Sequence, residues 1–167
     1  MVKKLKKTPL ILDSSPNQIA DTYFKFKNST IVDGATLVDP EGMEAARKKL
    51  VIAMLAGHNF VIALGKSTPD LASLCDPTGL PHETLIQGAV EAKEVTDRFV
   101  RPEDLTTNSS EGPADYLVGQ SGVFFIRDTF RVVVTSSLKE ADYRQRLGTN
   151  TLRLWDFHTL YIDPDFV

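Results

Sequence analysis

The run Pro9-Leu10-Ile11-Leu12, followed by Asp13-Ser14-Ser15-Pro16-Asn17-Gln18, decides the fold of this chain. A short apolar run that ends in turn-forming and helix-capping residues reads as a buried strand feeding a helix. Similar runs recur at Thr30-Ile31-Val32, Phe60-Val61-Ile62-Ala63-Leu64, Phe130-Arg131-Val132-Val133-Val134-Thr135 and Phe157-His158-Thr159-Leu160-Tyr161-Ile162. Helix-like stretches separate the first three, the layout of an α/β domain with a parallel sheet. Yet the turn after the first strand has no glycine and no lysine, where a phosphate-binding loop would supply both.

Composition narrows the function classes. The chain has 167 residues, 42% hydrophobic and 25% charged, enough for one domain with a core that needs no disulfide or metal. Its formal net charge of -3 argues against a nucleic-acid binder, which carries a basic excess. No apolar run reaches the ~18 residues that span a bilayer. The basic start is followed by only four apolar residues before Asp13, unlike a secretory signal. The single cysteine, Cys75, fits a reducing compartment, so a cytoplasmic protein is expected.

Residues 1–8, with lysines at 3, 4, 6 and 7, read as a basic N-terminal tail, and residues 9–167 as the domain. A first helix over 18–26 would place Ile19, Tyr23 and Phe26 on one face. The second strand, 30–33, is short and edge-like. Asp39-Pro40-Glu41 is a helix start, with an N-cap, proline at the first helical position and acid in the first turn. That helix should reach about Ala56, with Ala46, Leu50, Ala53 and Met54 as its apolar stripe and Gly57 as its stop. The continuous apolar run 60–64 reads as a strand buried on both faces. Short helices are expected to Leu74 and from Pro81, residues 90–100 suit helix or strand, and 102–115 read as a surface loop. Val123-Phe124-Phe125-Ile126 and the run from Phe130 suggest a hairpin turning at Arg127-Asp128-Thr129. Residues 140–147 suggest a helix and 156–162 a last strand.

The catalytic inventory is thin. Gly65-Lys66-Ser67-Thr68 matches the end of a P-loop, but five positions before its glycine stands Phe60, and Pro69 removes a backbone donor. His58, His82 and His158 show no metal-ligand spacing with one another or with Cys75. No Gly-x-Ser-x-Gly elbow marks a nucleophile, and Asp70, Asp76 and Asp128 form no recognisable pair.

The collinear order of these motifs resembles the fifth AAA+ module of the dynein heavy chain. Pro9 to Asp13 and Asn17-Gln18-Ile19-Ala20 are similar to the strand and turn in the Walker A position. The helix ending at Gly57 and the strand 59–64 resemble the elements through Walker B, and Asp70 to Leu74 the segment after it, although Pro69 precedes the aspartate here. Phe130-Arg131-Val132-Val133-Val134-Thr135-Ser136-Ser137-Leu138 resembles the sensor-1 strand. Ala141-Asp142-Tyr143 and Trp155-Asp156-Phe157-His158-Thr159 follow in the family's order. The resemblance implies a three-layer α/β/α sandwich of P-loop NTPase type, sheet order 5-1-4-3-2, without the helical lid of a complete module. Gly65-Lys66 stand where the Walker B acids would be, so nothing there would ligate magnesium or activate water.

The expectation is therefore a non-enzymatic protein-interaction or structural module with no cofactor. Its partner would be a protein, microtubule-associated by the resemblance, in a flagellar or other cytoskeletal assembly. The alternative is a protein that binds ATP, ADP or another phosphate compound at the carboxyl ends of the strands. Asp13, Ser14, Ser15, Asn17, Lys66, Ser67, Thr135 and Ser136 would line that site, because open parallel sheets place ligands there. A phosphotransferase or hydrolase on the same scaffold has no visible nucleophile, base or metal cluster to support it.

Overall fold

The structure, a computed structural model, describes residues 7–70, 100–101, 104, 124, 126–148 and 151–163. Five strands form one parallel sheet: β1 Thr8–Asp13, β2 Ser29–Asp33, β3 Asn59–Ala63, β4 Arg131–Ser136 and β5 Phe157–Ile162. They lie in the order β2-β3-β4-β1-β5, which counted from the other edge is β5-β1-β4-β3-β2. Helix α1 spans Ile19–Lys25, α2 Pro40–Ala56 and α3 Tyr143–Gly148. The short 3-10 turns Gly34–Val38 and Leu154–Asp156 lead into α2 and β5.

The two faces of the sheet are divided by strand alternation. Leu10, Leu12, Val32, Phe60, Ile62, Val132 and Val134 join the α2 residues Leu50, Val51 and Met54 and the α3 residues Tyr143 and Leu147 in the main core. Val61 and Val133 point the other way, with Ile11 and Ile31 beside them, and meet Phe24 of α1. The crossover from β1 to β2 runs opposite to those from β2 to β3 and from β4 to β5. Helices on opposite faces are what connections of one hand then require.

Helix α2 starts and stops as its residues dictate. The Asp39 side chain accepts from Gly42 N at 2.7 Å, and Gly57 ends the helix at φ 72°. The expected stripe Ala46, Leu50, Ala53 and Met54 is buried. Beside it lies Arg47, only 1% exposed and the largest fully buried side chain described. Its guanidinium grips Glu44 at 2.8 Å and Asp104 at 2.6 Å, and Arg101 closes on Glu44 at 3.1 Å. Asp104 falls in the stretch read as surface loop, yet its side chain is 8% exposed and also accepts from Arg101 N.

Several expectations are corrected. The buried face of α1 carries Ala20 and Phe24, one position on from Ile19 and Tyr23, and leaves Tyr23 and Phe26 exposed. Thr8, assigned to the tail, belongs to β1 and is opposite Phe157. Among the described residues the expected hairpin does not form: Phe124 and Ile126 are irregular and pack against the main core, and Val123 and Phe125 lie outside the described residues. Both sides of β4 are already taken, by β3 and β1 in parallel, so an antiparallel neighbour has no place. Arg127-Asp128-Thr129 still turns, with Phe130 N donating to Arg127 O at 2.9 Å, but the turn docks on α2. Arg127 Nε donates to Leu55 O at 2.6 Å and Thr129 Oγ1 to Gly57 O at 2.9 Å, satisfying carbonyls the helix end leaves open. Helix α3 starts at Tyr143, after a turn over the residues before it. The helices expected to Leu74 and from Pro81, and all of 102–115 except Asp104, lie outside the described residues. Among those described, no helix is long and apolar enough to cross a membrane.

Candidate functional site

The carboxyl ends of β1, β3 and β4 gather most of the residues expected to bind a ligand. Asp13, Ser15, Ser67, Thr135 and Ser136 are each held by a side-chain hydrogen bond. The turn from β1 into α1 closes around Asp13, a carboxylate only 3% exposed. Asp13 Oδ1 accepts from Ser15 N at 3.0 Å and from Ser15 Oγ, and Oδ2 accepts from Ala20 N at 2.7 Å in the first turn of α1. Gln18, at φ 46°, adopts the left-handed conformation that brings the chain back onto this carboxylate. Ser14 and Asn17 stay exposed on the outside of the turn.

At the end of β4, Thr135 Oγ1 donates to Asp21 Oδ1 at 2.7 Å, tying the strand to α1. Ser136 Oγ donates to Gly65 O at 3.2 Å and accepts from Leu138 N, and Ser137 N donates to the same Gly65 carbonyl at 2.7 Å. After β3, Ser67 N and Oγ both donate to Leu64 O. Lys66 is exposed, and Arg146 of α3 reaches its carbonyl at 3.5 Å. Gly65, at φ 56°, has open space where a Cβ would stand.

The arrangement joins two of the expected groups and separates the rest. Asp13 and Ser15 form one cluster, buried and satisfied. Ser136 and the Gly65-Lys66-Ser67 turn form a second, joined through the Gly65 carbonyl. Thr135 belongs to neither and faces Asp21. The sequence pattern missed Asp21 and Arg146. Asp21, as an acid in the first turn of α1, is marked only as a helix-start residue, and nothing local marks Arg146.

Beside the second cluster, Tyr143 of α3 and Tyr161 of β5 meet edge to face at 6.0 Å. The neighbouring Tyr143 hydroxyl pushes Tyr161 up to about 12, while the Tyr161 hydroxyl and Arg144, whose Nε donates to Tyr143 Oη at 3.1 Å, hold Tyr143 below its ordinary value. Among the described residues no group of three or more His, Cys, Asp or Glu side chains could hold a metal ion. His58 lies at the opposite end of the sheet, its Nδ1 3.4 Å from Thr30 Oγ1, and His158 is exposed on β5. Asp128 is in the turn entering β4, far from Asp13 along the strands. Cys75, Asp76 and His82 lie outside the described residues. Comparison with protein families, curated proteins and solved structures gives no match.

Proposed function

We propose that this chain is a non-enzymatic protein-interaction or structural module, on a P-loop-type scaffold whose phosphate position is filled from within. One observation carries the reading. The Asp13 carboxylate receives the amides of Ser15 and Ala20, the kind of strand-to-helix donors that bind an incoming phosphate in a working site. A second anion brought there would meet a buried negative charge and find its donors already engaged. The hydroxyls of Ser15, Ser67, Thr135 and Ser136 are likewise used on protein atoms. This supports the kinship with degenerate dynein AAA+ modules suggested by the motifs, with a protein partner in a microtubule-based, flagellar or other cytoplasmic assembly.

A second reading has its own observation. The Gly65-Lys66 turn is open above Gly65, and Lys66 and Arg146 bring two cations to its rim. That suits a phosphate compound such as ATP or ADP bound beside β3 rather than in the β1 turn. Isothermal titration with ATP, ADP and pyrophosphate, with and without magnesium, separates the two. No heat at millimolar ligand is the expected result. Saturable binding lost in both Lys66→Ala and Arg146→Ala would overturn the proposal in favour of the second reading. ATP hydrolysis above background, abolished by changes in the strand-end turns, would overturn its non-enzymatic part.

A further inference from the structure

Strand β5 forms one edge of the sheet, paired with β1 along all six residues and, among the described residues, with nothing on its outer side. Exposed edges are normally blunted by lysine, proline, a bulge or an inward charge, because their free N–H and C=O groups recruit another strand. Phe157-His158-Thr159-Leu160-Tyr161-Ile162 carries no lysine, no proline and no carboxylate. The other edge strand, β2, ends in Asp33. Leu160 and Tyr161 are each 44% exposed, on opposite faces of β5, and Trp155 just before the strand is 69% exposed. The Tyr143 ring against Tyr161 limits how that side chain can move.

We propose that β5 is a self-association edge, onto which a second copy of this chain adds its own β5 antiparallel about a two-fold axis at Leu160. The sequence of the strand selects a copy of itself. Centring on Leu160 pairs Leu160 with Leu160, Thr159 with Tyr161 and His158 with Ile162, a ladder of neutral residues whose Thr–Tyr pairs are of the kind that stabilise sheets. At its ends this register sets Phe157 against Asp163; centring on Tyr161 would bring Asp163 one pair nearer the axis, against Thr159, and centring on Thr159 would set Ile162 against Asp156 and Leu160 against His158 instead of against itself. The chain has a formal net charge of -3, so two copies repel in general and meet best on uncharged ground. A symmetric pair of this kind is closed and continues the sheet from one subunit into the other. The inference does not depend on whether nucleotide binds.

A five-residue ladder buries less than the about 1,600 Å² of a standard interface, so the dimer should be weak, with a Kd on the order of 10 µM. Sedimentation velocity of the whole chain over about a hundredfold range of concentration should show a reversible monomer–dimer equilibrium. Leu160→Lys sets two cations against each other at the axis and should weaken the dimer about tenfold or more, with an unchanged circular dichroism spectrum. Val38→Lys, at an exposed apolar position elsewhere, should leave it intact. In a Cys75→Ser background, Leu160→Cys should oxidise to a covalent dimer at least about ten times faster than His158→Cys. Only position 160 meets itself, at the about 4.5–5.5 Å Cα spacing that a disulfide accepts. If Leu160→Lys fails to fold, the cysteine pair alone decides. A chain that stays monomeric, including one whose edge takes up a foreign strand instead, overturns the proposal. So does a dimer indifferent to Leu160→Lys, or equal cross-linking at 158 and 160.

Discussion

Arg47 shows how far a single side chain can depart from what its type suggests. In the sequence it is one of several cations in Ala45-Ala46-Arg47-Lys48-Lys49, on a helix whose apolar stripe is plain. Its burial depends on Asp104, 57 positions away, and no periodicity along α2 carries that information. The pair is held at both ends, since Glu44 and Arg101 complete a four-membered network. Replacing one member of a buried ion pair leaves the other charge uncompensated. Arg47→Met should therefore cost about 3–5 kcal/mol in urea unfolding, the cost reported for breaking a buried pair. Lys48→Met, one residue on and exposed, should change stability by no more than about 0.5 kcal/mol. Asp13 is a second such residue. Its place after an apolar run was legible, but its service to the Ser15 and Ala20 amides was not, because that depends on Gln18 taking a left-handed conformation. Asp13→Ala should lower stability by about 1–3 kcal/mol, through buried donors left without an acceptor.

Elements were legible where their signals were local and read less well where distant contacts chose. The start of α2 at Asp39-Pro40 and its end at Gly57 follow from capping and from glycine's freedom at positive φ. An apolar count places the buried face of α1 one position early, because Tyr23 and Phe26 outweigh Ala20. The sheet selects Phe24 instead, which reaches Val61 and Val133. The apparent hairpin before β4 failed for a similar reason, since local alternation cannot show that both sides of a strand are already occupied. Two glycines separate conformational strain from crowding. A Cβ at Gly57 would stand 2.1 Å from Thr129 Oγ1, at φ 72°, whereas at Gly65, φ 56°, it would meet nothing within 4 Å. Gly65→Ala should cost about 1 kcal/mol, the backbone penalty alone. Gly57→Ala should cost more, because the Thr129 contact that caps α2 must also give way, and parallel urea titrations of the two variants would measure the difference.

For the molecule as a whole, the five apolar runs and their separations by helix-like segments made a parallel α/β sheet legible. The order of the strands came with the family resemblance and not from periodicity. What the sequence could not display is how the charge is arranged, and the ion network at Arg47 gives that arrangement a measurable consequence. Hydrogen bonding to Arg47 holds the Glu44 carboxyl below its ordinary value. Burial pushes Asp104 up, but Arg47, the Arg101 amide and the nearby cations more than offset this and leave it low as well. A carboxylate whose pKa is lower in the folded chain contributes stability that is complete above its unfolded pKa and disappears as pH falls through the folded one. The urea midpoint should therefore be flat near neutrality and fall as pH drops below about 4, where unfolded carboxylates take up protons first. Asp104→Asn should lower the midpoint at neutral pH and flatten that acid slope, since it removes a group that binds a proton on unfolding. A slope unchanged in Asp104→Asn would mean that acid sensitivity arises elsewhere in the chain and that the network tying residues 101 and 104 to α2 contributes little to it.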